Sequence, residues 1–325
     1  MAAGGKSAGS APTVSGESGV SETPDALLRR LQWTILRPLA ARLGGDERSL
    51  VRGFGLELSE LREYQPGDDV RHIDWNTTAR TDRPFVREAY AERALDVWLV
   101  VDMSPSVDWG TARRLKRELA IELAGIIGLL LGRQGNRVGA LLFAEQPRGV
   151  VPPGTGRAHL LRLLTSLRDE PRRDGTGRTD LAAALTQIRA FARRRSLILI
   201  VSDFLVPDGW QAALGPLAQR HEVVAVRLGD PRETMLPDVG LIALEDPETG
   251  DQLLVDTGDR GLRERFAEAA AAQSERLRAE IARHGVDQLV LSTSDDLLPA
   301  LVRFLGARKH RRGRGGSMPA LRRAG

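Results

Sequence analysis

Hydrophobic and polar positions follow two alternating rhythms over most of this chain. Short runs at Leu95–Val101 (broken only by Asp96), Arg137–Ala144, Ser196–Ser202, His221–Arg227 and Val286–Ser292 are rich in Val, Leu and Ile and bounded by polar turns, which predicts strands buried on both faces. Between them, apolar residues recur at helical spacing. Leu115, Leu119, Leu123, Ile126, Ile127 and Leu130 line one side of a helix over Thr111–Gly132, and further helices are expected from near Arg157, from near Asp180, and over 208–219, 259–283 and 295–306. Strands and helices in this alternation predict an α/β fold with a doubly wound, mostly parallel sheet of Rossmann type. Gly149–Pro152 reads as a short edge strand, and Leu241–Val255 as a hairpin continuing the sheet through the turn Asp246-Pro247-Glu248-Thr249-Gly250.

The first 93 residues depart from that alternation and predict a helical and strand extension in front of the sheet. Residues 1–22 are Gly, Ser, Ala and Thr with few large apolar groups, a composition that predicts disorder. Thr23 or Asp25 can cap a helix in which Leu27, Leu28, Leu31, Ile35, Leu36, Leu39 and Leu43 form a stripe, with Arg29, Arg30, Arg37 and Arg42 on the wet face and Gly44-Gly45 as the stop. Packing of that stripe on the body is preferred over a membrane surface. In residues 51–93, Phe54, Leu56 and Leu58 alternate as in a strand, Gln65-Pro66-Gly67-Asp68 is a turn, and Val70, Ile73 and Trp75 are expected to anchor a compact element. The charges Arg62, Asp69, Arg71, Asp74, Arg80 and Arg87 around them read as an ion-pair network. The expected division is 1–22 disordered, 23–93 extension, 94–306 α/β domain and 307–325 basic disordered tail.

Composition narrows the chemistry. With no cysteine among 325 residues, disulfides, thiolate metal sites and cysteine nucleophiles are excluded, and histidines at 72, 159, 221, 284 and 310 have no zinc-site spacing. The formal charge of +4 belongs to the tail: residues 307–325 hold seven Lys or Arg and no acid, and without them 40 bases face 43 acids. Such a tail supports charge contact with nucleic acid, anionic lipid or an acidic partner. No aromatic residue lies beyond Phe304 to stack on bases, so no specific nucleic-acid recognition is expected. The longest apolar segment, Leu123–Leu131, is far shorter than the ~20 residues of a membrane span. With no hydrophobic signal core after the first methionine, a cytoplasmic protein without transmembrane segments is expected, with peripheral membrane contact open to it.

Candidate chemistry gathers where strands end. Asp102, Ser104 and Ser106 follow the Leu95 strand, Thr179 precedes the helix near Asp180, and Asp203 follows the Ser196 strand. In open α/β sheets ligands bind beyond the carboxyl ends of the strands. Short oxygen side chains from three segments of that edge suit a hard cation, Mg²⁺ or Mn²⁺, which takes about six oxygens and keeps several waters. Gly154-Thr155-Gly156 lacks the Lys-Ser/Thr of a phosphate-binding loop, and a turn before a helix accounts for it. No nucleophile with an adjacent base is legible, so a non-enzymatic role is expected, with a Mg-dependent phosphoryl hydrolase or an anionic-surface binder as the alternatives.

Asp102-Met103-Ser104-Pro105-Ser106, Thr179 and Asp203 resemble the metal-ion-dependent adhesion site of the von Willebrand factor A fold. The resemblance implies that Ser104, Ser106 and Thr179 touch the metal directly, that Asp102 and Asp203 hold it mainly through water, and that a partner's carboxylate completes the coordination. Phe204 stands where many members have glycine. The segment GFGLELSELREYQPGDDVRHIDWNTTAR looks like the signature of the bacterial "domain of unknown function 58" family, and the similarity runs over about residues 45–306. It implies an adaptor that works with a MoxR-type AAA+ ATPase or its client in a chaperone-like or assembly role.

Overall fold

The computed structural model describes residues 22–38, 59–81, 83–89, 94–172 and 178–314. Four expectations fall wholly or partly outside them: disorder at the amino terminus, Leu39 and Leu43 of the first helix, the Phe54–Leu58 strand, and the end of the tail. Helix α1 (Pro24–Leu31) is capped by Thr23, whose hydroxyl oxygen accepts the Ala26 N–H at 3.3 Å, and it passes into a π-helical turn (Gln32–Leu36). Its leucine stripe is buried as the spacing demands, with Leu27, Leu28, Leu31, Ile35 and Leu36 in the main core.

Strands β1 (Ser59–Glu63) and β2 (Phe85–Ala89) pair antiparallel and enclose a 3₁₀ turn (Val70–His72) and helix α2 (Trp75–Thr81). One expectation fails here. Val70 and Trp75 are 59% and 70% exposed, so they do not anchor this element. The buried position goes to Asp74, whose carboxylate caps α2 by accepting the Thr77 N–H at 2.8 Å and so turns its neighbour Trp75 outward. The side chains of Arg62, Arg80 and Arg87 from the expected ion-pair network lie outside the described ones, and among the described side chains Arg71 pairs with Asp69 at 3.1 Å and Arg83 with Glu63 at 2.7 Å, both at the exposed surface.

The remaining elements are β3 (Asp96–Asp102), α3 (Lys116–Gly132), β4 (Arg137–Phe143), β5 (Pro147–Gly154), α4 (Arg157–Asp169), α5 (Leu181–Phe191), β6 (Leu197–Ser202), α6 (Trp210–Arg220), β7 (Glu222–Gly229), β8 (Leu241–Glu245), β9 (Gln252–Asp256), α7 (Arg260–Arg283), β10 (Asp287–Ser292) and α8 (Leu297–Arg314). One six-stranded sheet has the order β10-β7-β6-β3-β4-β5, parallel throughout except for β5 at its edge. Alternate residues of β3 feed opposite cores. Val97, Leu99 and Val101 pack with α1, α3, α4 and α8, whereas Trp98 and Val100 pack with α5, α6 and Ile281 of α7. The sheet is therefore covered on both faces, as a doubly wound fold requires. α1 seats against α3 at Gly125, where a side-chain carbon would stand 2.8 Å from Leu31 Cδ1.

Three boundaries differ from the sequence reading. Helix α3 starts at Lys116 instead of Thr111, because the Thr111 N–H and hydroxyl are drawn to the Asp230 carboxylate at 2.7 and 2.5 Å. The β8–β9 hairpin forms, but as a separate two-stranded sheet instead of a continuation. Leu241, Leu253 and Leu254 remain 64–66% exposed, so the pattern that marked strands did not mark burial. Helix α8 runs eight residues past Gly306, so the segment from 307 is not all tail. Arg308 explains the extension: it is 1% exposed, its guanidinium paired with Glu222 and Asp287 at the starts of β7 and β10.

Candidate metal centre

β3 ends at Asp102 in the middle of the sheet, flanked by β6 and β4, and the chain leaves the carboxyl edge through Ser104 and a 3₁₀ turn (Pro105–Asp108). Met103 donates its N–H to Phe143 O at 2.8 Å, which ties this exit to the end of β4. Asp102 is fully buried: one carboxylate oxygen accepts the Ser104 N–H at 3.0 Å and the other the Ser202 hydroxyl at 2.6 Å. The Ser104 and Ser106 hydroxyls lie 3.0 Å apart, close enough to face one small ion. Thr179 reaches the same edge because Asp180 donates its N–H to Ala144 O at 2.8 Å, pinning the entry of α5 over the end of β4. Asp203 follows β6, is buried, and accepts the Leu205 N–H at 3.0 Å. All five candidate residues are thus buried along one stretch of the sheet edge.

Charge is concentrated there. Burial, and then the negative charge of Asp203, push the Asp102 carboxyl from its ordinary value near 3.8 up to about 7, against the hydrogen bonds of Ser202 and Ser104. Asp203 has a cation of its own: Lys116 Nζ, from the first turn of α3, stands 2.7 Å from it and 2.5 Å from Glu233. Burial works to lower the Lys116 pKa, but the charges of Asp203 and Glu233 outweigh it and the net shift is upward. Among the described residues no three His, Cys, Asp or Glu side chains converge as a metal-binding group. The donor set is instead three hydroxyls and two carboxylates, a mixture suited to an oxygen-seeking ion.

Residues 60–276, about two thirds of the chain, match the family described as "Protein of unknown function DUF58". The chain belongs to that family. Uncharacterized proteins of Mycobacterium tuberculosis and Mycobacterium bovis are 44% identical over 288 residues, which cover 87% of this DUF58 chain and 89% of theirs. Among solved structures, the conserved hypothetical protein BatB of Bacteroides thetaiotaomicron is similar over 67% of this chain and all of its own, with 18% identity and a TM-score of 0.44. The manganese-loaded TRAP protein of Plasmodium vivax is similar over 42% of this chain and 58% of its own, with 19% identity and a TM-score of 0.30. Among the described residues of the DUF58 chain, no helix is long and apolar enough to cross a membrane.

Lys116, its second partner Glu233, and Glu248 escaped the sequence reading. Lys116 sat inside an expected helix with nothing to mark it, and only the fold brings it to Asp203. Glu248, at the tip of the β8–β9 turn, accepts the Ser106 N–H at 3.4 Å and the Thr179 N–H and hydroxyl at 3.3 and 3.0 Å. Its turn was legible, whereas its reach to a residue 142 positions away was not. Phe204 adopts a left-handed φ of 59°, the conformation for which glycine is suited, but its ring is buried edge-on against Trp210 at 5.6 Å. It packs into the core on the α5–α6 face of the sheet.

The residues present fit a hard divalent ion. Asp102 and Asp203 are both buried, the one ammonium beside them is shared between Asp203 and Glu233, burial and then the Asp203 charge raise the Asp102 carboxyl, and the paired serine hydroxyls offer lone pairs.

Proposed function

We propose that this DUF58 chain is a non-enzymatic, metal-dependent adaptor of the cytoplasm, which binds an acidic side chain of a protein partner at the carboxyl edge of its sheet. Ser104, Ser106 and Thr179 would hold Mg²⁺ or Mn²⁺ directly, with Asp102 and Asp203 holding it through water. The ion would supply a Lewis-acidic position for the partner's carboxylate. What carries the reading is the convergence of hydroxyls from two separate segments on one small region, beside a buried carboxyl raised to about 7. The chain's own residues do the rest: the Ser106 and Thr179 N–H groups orient a carboxylate, and Ser202 and the Ser104 N–H fix Asp102. Resemblance to the family supports a MoxR-type AAA+ ATPase, or its client, as the partner.

The test is affinity capture from native lysate in Mg²⁺ or in chelator, with wild type and Asp102→Ala. Capture of an AAA+ ATPase or its client only by wild type in Mg²⁺ is the expected result. An identical captured set in all four conditions would overturn the metal-dependent reading.

A further inference from the structure

We infer that Glu248 is an internal ligand of the centre and that the β8–β9 turn covers the position a partner's carboxylate would take. The inference deepens the proposed function and rests on that reading for the partner. The covering contact itself stands on the geometry alone.

Three observations carry it. First, the donors that Glu248 uses belong to the centre: the Ser106 N–H at 3.4 Å, and the Thr179 N–H and hydroxyl at 3.3 and 3.0 Å. No Lys or Arg among the described residues pairs with this carboxylate. Two of its partners are therefore residues whose side chains are candidate ligands, and a hydroxyl that gives its proton to a carboxylate keeps its lone pairs free for a cation. An acid at this spot and an ion beneath it are compatible.

Second, the turn that presents Glu248 is built in advance. Asp246 accepts the Glu248 N–H on its side chain at 2.8 Å and the Gly250 N–H on its carbonyl at 2.7 Å, Gly250 takes a φ of 75°, and Thr249 donates its hydroxyl to Asp251 at 3.0 Å. A preformed turn loses little entropy when it docks, and its tether keeps the local carboxylate concentration high.

Third, the hairpin is lightly held. It joins no strand of the central sheet, and Val255 is the one residue of its two strands that is buried. Its root is fixed by Thr257, bonded to Gly240, whereas its tip meets the centre through Glu248. Three hydrogen bonds to one carboxylate, two of them at 3.3 Å or longer, hold the tip without making it permanent. The internal ligand also describes what displaces it: one acidic side chain carried on a tight turn of a protein partner, entering as the hairpin tip swings away.

The experiment compares wild type with Glu248→Ala and the shape-preserving Glu248→Gln, in two arms. Amide hydrogen exchange in chelator reads the cover without any metal. Exchange at Ser106 and Thr179 is expected to become about tenfold faster in Glu248→Ala, with a smaller change in Glu248→Gln and none in β3 or β6. Unchanged exchange at both amides overturns the inference. Water proton relaxation with Mn²⁺ as the probe then reads the ion: Glu248→Ala is expected to give a higher enhancement per bound Mn²⁺, because water replaces the carboxylate. Equal enhancement in wild type and variant removes Glu248 from the ion. Failure of Mn²⁺ to bind any of the three proteins, alongside faster exchange, overturns the metal-dependent function and leaves the cover standing.

Discussion

Asp102 and Lys116 show how this edge stores charge at the scale of single residues. The Asp102 carboxyl, ordinarily near 3.8, is raised to about 7 by burial and by Asp203, so the stability it contributes is complete below pH 3.8 and is lost as pH rises to about 7. His221 acts in the opposite sense. Burial, and then the neighbouring Arg220, hold its pKa below 6.5, and stability is lost as acid forces a proton onto a ring with no hydrogen-bond partner among the described residues. The difference between wild type and Asp102→Asn isolates the carboxyl. In chelator, the Tm advantage of Asp102→Asn over wild type is expected to grow between about pH 4 and 7, while Mg²⁺ raises the Tm of wild type alone. A constant difference across that range would show that Asp102 is not strained by its charge. Lys116→Met makes the complementary case, since it leaves Asp203 buried without its cation. It should cost ~3 kcal/mol in chelator by denaturant unfolding and tighten Mn²⁺ binding by calorimetry, because the ion then faces an unneutralised carboxylate. The charge balance of both residues depends on burial and on contacts up to 117 positions apart, which their sequence neighbours do not reveal.

Periodicity located most elements, and departures arise where one polar contact outweighs the local pattern. The leucine stripe of α1 and the runs of β3, β4, β6, β7 and β10 were legible because a buried face imposes its period on the sequence. The start of α3 moved because Asp230 captures Thr111, and Val70 and Trp75 face outward because Asp74 takes the buried place beside them. Helix α8 was extended by Arg308, which looks like one more arginine of a basic run until Glu222 and Asp287 are seen on either side. Truncation after Gly306 is therefore expected to destabilise the protein, leaving two acids at the start of β7 and β10 without their guanidinium. Arg308→Met should reproduce most of that loss, on the order of 3 kcal/mol by denaturant unfolding. Equal stability of the full and truncated chains would return residues 307–314 to the tail.

At the scale of the molecule, the alternation of apolar runs with helical stripes determined a doubly wound, mostly parallel sheet, and the ends of two runs together with one helix entry named Asp102, Ser104, Ser106, Thr179 and Asp203. These features were readable because strand burial and helix amphipathicity are local, and because a parallel sheet places every strand's carboxyl end on one edge. The tertiary structure alone decided what stands against that edge. Lys116 arrives from α3, Glu233 from the turn after β7, and Glu248 from a hairpin that the sequence marked as strands but could not place. No sequence pattern encodes such contacts, because they depend on how separate elements pack, and a charged side chain reads the same on a surface as in a buried pair.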